Sequence, residues 1–324
     1  MAAGLLSSIT GSIAGAGLFL GGIFLLRRSL SRLTGPRLQA FLARWAGTRW
    51  RAAAAGCLAA TALQSSSLTN LLVVTMTHSR WITLPQAIAM ILGANVGTTT
   101  TVQLIALSPE DELPHVAGLA LVLVLVGRGP WRQAGFALGG LVGVLAGIHL
   151  MGSGMAGLLE QTGMARWDRW FRPSPAAGLW PSLAGGTALT ALVQSSSLTI
   201  GMAMALARAG ALSAAEGITF ALGANVGTVG STLLGAAGAS GPARQAAVAD
   251  LLFNVLGVLA AWPFVSQLAT LAAALTADPG RQIAAAHAVF NVVSAALGVV
   301  LLDGIVWLSR RAVPEGGPGR RRCL

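Results

Sequence analysis

The sequence predicts an all-α polytopic membrane protein built from two inverted-topology repeats, with broken or re-entrant helices carrying QSSS motifs. Three observations predict it: an apolar, charge-poor composition, one motif set written twice, and the placement of the arginines. Of 324 residues, 54% are hydrophobic and only 10% are charged, where a soluble domain carries roughly 25% charge. The mean hydropathy is +0.72. So much apolar side chain does not fit inside one soluble core. The 42 glycines suit membrane helices, and Trp45, Trp50, Trp131, Trp167 and Trp170 lie among arginines, where interfacial anchors belong.

The net charge of +11 comes from 21 basic residues, all arginine. Most lie between apolar runs. That is a topology signal rather than a nucleic-acid patch. Cys57 and Cys323 support neither a disulfide framework nor a metal site. Residues 1–26 lack a basic leader and are expected to form the first span rather than a cleaved signal.

A shift of 130 residues superposes the chain on itself. Gln64-Ser65-Ser66-Ser67-Leu68-Thr69 falls on Gln194-Ser195-Ser196-Ser197-Leu198-Thr199. Leu92-Gly93-Ala94-Asn95-Val96-Gly97-Thr98 falls on Leu222-Gly223-Ala224-Asn225-Val226-Gly227-Thr228. Gly17 and Leu20 fall on Gly147 and Leu150. One shift aligning three blocks is an internal duplication.

The arginines then orient the spans. Residues 27–51 hold seven Arg and no acid, 128–132 hold two Arg, and the tail from Arg310 holds five. Residues 108–115 hold Glu110, Asp111 and Glu112 and no Arg, while 160–172 are mixed. The positive-inside rule places the first three segments in the cytoplasm and 108–115 outside. On that assignment residues 9–26 run inward, 52–107 finish outside, 116–127 return, and 133–158 run outward. Residues 180–236 run inward, 246–270 outward and 282–308 inward. The N-terminus is then outside and the C-terminus cytoplasmic, in the plasma membrane. The two copies face opposite ways, an arrangement associated with secondary transporters. The predicted division is a first repeat over 1–138, a second repeat plus terminal helix over 139–309, and a basic tail over 310–324; the repeat cores are 9–128 and 139–258.

Ser and Asn are poor helix formers, so both QSSS stretches predict breaks inside apolar surroundings. Broken helix is tolerated at membrane depth only where it is buried in protein or lines a wet cavity. Matching breaks in two inverted copies point to a binding site near the midplane. The N-termini of half-helices suit an anion, serine hydroxyls both donate and accept, and carbonyl, amide and hydroxyl oxygens suit a hard cation. Residues 60–75, 89–105, 190–205 and 219–235 contain no charged side chain, so the site needs no fixed charge. The glycine pairs Gly93/Gly97 and Gly223/Gly227 permit close helix approach. Asn95 and Asn225 are expensive in lipid and are expected to face the interior. Gly139, Gly143 and Gly147 are expected only to pack.

At these residues the sequence resembles the sodium/phosphate cotransporter family, the bacterial relatives of the animal type II carriers. The motif set is specific as a set, and the resemblance spans 9–308. It implies a symporter coupling inorganic phosphate to Na+ by alternating access, with no organic cofactor, no enzymatic activity and no nucleic-acid partner. Its partners are phosphate and membrane lipid; the oligomeric state stays open. By the resemblance Gln64, Ser65, Ser66, Ser67, Gln194, Ser195, Ser196 and Ser197 form the core of the site. Thr69, Asn95, Thr98, Thr199, Asn225 and Thr228 join them, with Na+ shared among the same residues. Relatives often carry a soluble regulatory region after the membrane part; this sequence shows none beyond Arg320-Arg321-Arg322. The copies also differ, since Asn70 faces Ile200 and Thr99-Thr100-Thr101 faces Val229-Gly230-Ser231. Another oxyanion, proton coupling, export, or a passive anion channel remain alternatives.

A second echo spaces Arg244-Gln245…Asp250…Phe253-Asn254 by 37 residues from Arg281-Gln282…His287…Phe290-Asn291. Asp250 is a candidate cation ligand or proton relay; a structural polar pair is the competing reading. His287 and His149 are expected to be structural and bundle-facing, Asp303 near the interface, and Arg80 and Arg208 interfacial turn markers. The GxGxxG match at 152–157 lies in an apolar span without a preceding strand, which argues against a dinucleotide site. With no lysine there is no Walker lysine. A serine hydrolase lacks a paired base, because His78 has Arg208 as its counterpart.

Overall fold

The structure, a computed structural model, describes residues 2–34, 37–107, 112–162 and 178–314. Glu110, Asp111, the mixed segment beyond Thr162, Trp167, Trp170, Cys323 and the tail beyond Pro314 lie outside the described residues. Within them the fold is helical. In chain order the helices are α1 Ala2–Thr34, α2 Arg37–Trp45, α3 Arg49–Leu63, α4 Ser66–His78, α5 Leu84–Ala106, α6 Leu113–Val126 and α7 Pro130–Thr162. The second half holds α8 Trp180–Val193, α9 Ser196–Arg208, α10 Ala214–Ala236, α11 Gly241–Ala261, α12 Val265–Leu275, α13 Pro279–Val300 and α14 Leu302–Ala312. Six segments among the described residues are long and apolar enough to cross a membrane: Gly4–Leu33, Leu84–Ala106, Pro130–Thr162, Ala214–Ala236, Gly241–Leu275 and Pro279–Val300. The chain is therefore an integral membrane protein. At 14 residues, α6 spans only about 21 Å at 1.5 Å per residue.

α1 and α7 pack antiparallel along a seam of small residues. A Cβ on Gly22 would lie 2.7 Å from Gly140 O, and one on Gly15 2.7 Å from Gly147 O. Gly154 meets Ser8 and Ser12 in the same way. As α1 numbers fall, α7 numbers rise, so the helices run oppositely. Backbone contact of this kind requires Gly at the seam. The expectation for this glycine run holds in kind. The seam itself runs through Gly140, Gly147 and Gly154, while Gly139 meets nothing and Gly143 touches Gly22.

Each QSSS stretch closes a helical hairpin. Ala53 meets Gly93 and Cys57 meets Gly97, so α3 and α5 run parallel and α4 must run back between them. The same pattern sets α8 against α10, where Leu183 meets Gly223 and Thr187 meets Gly227. A Cβ on Gly93 would collide with Ala53 O, and one on Gly223 with Leu183 O. Gly is what lets these helices touch. The turns after the hairpins also match. Ser213 and Glu216 form a reciprocal cap on α10, and Thr83 N–H donates to Gln86 on α5.

Three sequence expectations change. The segment 27–51 is not a loop, because α1 continues to Thr34 and α2 follows. The span 246–270 is not one α-helix: a 3-10 turn, Trp262–Phe264, separates α11 from α12. Pro263, without an N–H, cannot continue the helical ladder. The terminal span 282–308 is two helices that part at Leu301. α14 carries Asp303, Arg310 and Arg311, and Asp303 reaches Arg49 at 3.5 Å from an exposed position.

Candidate ion site at the two helix breaks

The breaks follow from backbone conformation. Gln64 (φ 51°) and Gln194 (φ 57°) are left-handed, a region that costs a residue with a Cβ about 1–2 kcal/mol. A glycine would relieve that strain, yet both copies keep Gln. Each side chain ties back through Nε2 to its own helix, Gln64 to Thr61 O at 2.7 Å and Gln194 to Ala191 O. Each leaves its Oε1 buried without a partner. A repeated strained residue with an orphan acceptor is what a ligand position looks like.

Ser65 and Ser195 are extended and cap α4 and α9, their Oγ atoms accepting from Leu68 N–H at 3.2 Å and Leu198 N–H at 3.4 Å. The next residues, Ser66, Ser67, Ser196 and Ser197, present first-turn N–H groups that have no acceptor within the helix. Ser197 Oγ is fully buried and partnerless. Thr69 donates to Ser65 O, Thr98 to Ala94 O, Thr199 to Ser195 O and Thr228 to Ala224 O. A threonine whose proton is spent on its own helix offers only lone pairs, which suits a cation better than an anion.

The two breaks lie side by side. Arg27 of α1 donates from Nε to Gln64 O at 3.1 Å and from Nη2 to Ser195 Oγ at 3.2 Å. One planar guanidinium thus touches both QSSS motifs. The sequence reading put Arg27 in an arginine cluster and needed no fixed charge at the breaks; the structure sets one guanidinium against both of them. α1 does not stop where the arginines begin. Its buried face, Phe19, Ile23, Leu26 and Ser29, keeps helical spacing past Arg27, and that periodicity was the available signal.

Asn95 and Asn225 do not join the breaks directly. They belong to two further clusters. In one, the buried Asp250 of α11 accepts from Asn70 Nδ2 at 3.0 Å, Thr232 Oγ at 3.0 Å and Asn254 Nδ2 at 2.9 Å. The Asn95 amide faces this carboxylate from farther off, its Nδ2 making no close hydrogen bond. Asn70 Oδ1 is also buried and unpartnered. In the other cluster, His287 Nε2 of α13 lies 3.1 Å from Asn225 Oδ1, and Asn225 Nδ2 reaches Asn291 at 3.4 Å. His149 lines an open cavity of about 290 Å³ between helices, with Ser153 and Arg208. Arg80 occupies a left-handed turn position (φ 62°), and Arg208 pairs with Asp278 at 3.0 Å.

The chain is 29% identical over 76% of its length to "Uncharacterized protein YqeW" of Bacillus subtilis, covering 80% of that protein. It is 26% identical over 82% of its length to "Putative inorganic phosphate export protein YjbB" of Salmonella typhimurium, and 26% over 79% to the protein of that name in Escherichia coli K12. It spans about half of these two relatives, 48% and 47%. No solved structure matches. The profile described as Na+/Pi-cotransporter matches residues 18–153 and 155–300. With that match over most of the sequence and over both helix breaks, the chain belongs to the Na+/Pi-cotransporter family.

Proposed function

We propose that the protein is a secondary transporter that moves inorganic phosphate across the membrane coupled to Na+. The observation that carries this reading is the meeting of two helix breaks on one guanidinium, with the N-termini of two half-helices opening at the same place. Helix N-termini and an arginine together hold a tetrahedral oxyanion. Gln64, Ser65, Ser66, Ser67, Gln194, Ser195, Ser196 and Ser197 contact phosphate or its coupled ion. Thr69, Thr98, Thr199 and Thr228 supply acceptor oxygens for Na+. Asp250, with the Asn70 and Asn95 amides, is the position where a monovalent cation gains most, since it is the carboxylate of the buried network. Asn225 holds the neutral counterpart.

The repeats run 1–138 and 139–309, and their inverted relation is supported by α1 and α7. These helices align through the 130-residue shift and pack antiparallel. Each α3–α4 and α8–α9 hairpin enters the membrane and returns, since the 15 residues of α3 reach about 22 Å into a core of roughly 30 Å. The N-terminus lies outside and the C-terminus inside, and one bundle rocks against the other to alternate access. The relatives' printed name favours export as a second reading of direction.

Radiolabelled phosphate flux in proteoliposomes tests this. An inward sodium gradient is compared with matched potassium and proton gradients, for wild type and a Gln64→Ala, Gln194→Ala double variant. Sodium-dependent flux that vanishes in the folded variant is expected. Equal flux in sodium and potassium would overturn the coupling, and full activity in the double variant would overturn the site.

A further inference from the structure

α1 carries a positive charge into the junction of the two hairpins. Among the described residues no carboxylate pairs with Arg27. Its two hydrogen bonds go to neutral acceptors, Gln64 O and Ser195 Oγ. A guanidinium has five N–H donors and does not lose its proton, so a half-buried cation is held here among neutral acceptors at some cost in desolvation. Around it stand the starts of α4 and α9, whose dipoles also present positive ends. Ser197 Oγ, a hydroxyl able to donate, is buried and partnerless two residues beyond Ser195. Among the described residues, the Arg27 guanidinium and the two helix starts each present positive charge to this junction.

We propose that Arg27 is the resident countercharge of the phosphate site. It exchanges Gln64 O and Ser195 Oγ for phosphate oxygens when phosphate enters. The inference rests on the transport reading above and deepens it. A fixed guanidinium supplies one positive charge that a coupled cation would otherwise bring. Phosphate then binds to the sodium-free protein, and sodium adds affinity through the separate Asp250 cluster rather than being required for the anion to enter.

The test is phosphate titration of the purified full-length chain by calorimetry, without sodium and with saturating sodium, at constant ionic strength set by choline. Wild type is compared with Arg27→Gln, Arg27→Lys and Arg28→Gln; Arg28 is an exposed neighbour of the same charge. Wild type is expected to bind phosphate without sodium. Arg27→Gln should weaken that binding on the order of 100-fold, the usual effect of removing one partner from a buried charge pair. Arg27→Lys should fall between, keeping the charge but not the planar fork, and it decides the matter if Arg27→Gln fails to fold. Arg28→Gln should bind as wild type does. Sodium-free binding unchanged in the Arg27 variants, or weakened equally by Arg28→Gln, overturns the proposal. Wild type that binds phosphate only with sodium overturns it while leaving the transport reading intact. Wild type that binds no phosphate in either condition removes both.

Discussion

The two halves of the molecule place the same asparagine at the same position and set different partners against it. Asn95 in α5 faces the carboxylate of Asp250; Asn225 in α10 faces the imidazole of His287. Asp250 and His287 are themselves equivalent in the 37-residue echo. The first cluster also recruits Asn70 from its hairpin, while the second has Ile200 there. A carboxylate ringed by amide and hydroxyl donors is an anionic pocket. In the second cluster Asn225 bridges His287 and Asn291, and among the described residues no carboxylate is bonded there. Asparagines equivalent through the 130-residue shift thus sit in chemically unequal surroundings.

The largest break in that comparison is expected from Asp250→Asn. It should abolish the cation dependence of phosphate flux while phosphate binding to the sodium-free protein survives. His287→Gln should change flux by less than about threefold, since an amide can keep the hydrogen bond to Asn225. Equal losses in the two variants would mean that the clusters are equivalent after all.

Asn70→Ile copies the second half into the first. Removing a hydrogen bond to a charged group is worth about 1.5–3 kcal/mol, so the sodium concentration for half-maximal flux should rise at least about tenfold. The reverse change, Ile200→Asn, buries an amide at a fully enclosed site. It should lower thermal stability by about 1–3 kcal/mol with little effect on sodium dependence.

A smaller effect is expected at the turns after α4 and α9. Arg80 and Gly210 are equivalent and both left-handed, and the same three backbone hydrogen bonds close each turn. Arg80→Gly should therefore stabilise the protein by about 1 kcal/mol, read as a higher unfolding temperature in detergent. Gly210→Ala should cost a similar amount.

The smallest concerns pH. The last residue of each second hairpin arm contacts the start of an echo helix: His78 Nδ1 accepts from Ser240 N–H, and Arg208 pairs with Asp278. Partial burial raises the Asp278 pKa, but hydrogen bonds from Arg208 and the Arg281 N–H outweigh it and hold the carboxyl below its ordinary value. A depressed carboxylate contributes stability above its unfolded pKa of about 3.9 and loses it as pH falls through the folded value. The pair is partly exposed, so its worth is at most about 1 kcal/mol. Asp278→Asn should lower the unfolding temperature slightly at neutral pH and not at strongly acid pH.

Much of this was legible in the sequence. Membrane class followed from hydropathy, because each segment's transfer out of water depends on its own side chains. The duplication followed from identity at a fixed shift. The helix breaks followed from serine and asparagine propensities, which are local. The reversal of direction at each break was less legible, since one left-handed glutamine allows either a kink or a hairpin. Helix ends in charged stretches were misread for a similar reason: arginine is a good helix former, so a topology signal does not mark where α1 stops.

By itself, then, the sequence determined a helical membrane protein of two related halves, with polar breaks at Gln64 and Gln194. These properties are encoded in short windows. Only the tertiary structure decided that Arg27 would bridge breaks 130 residues apart, and that Asn70 would meet Asp250 across 180 residues of chain. Such contacts depend on how whole helices pack. The Gly93 and Gly223 backbone contacts fix the hairpins against α5 and α10, and that packing selects which polar groups share a buried space.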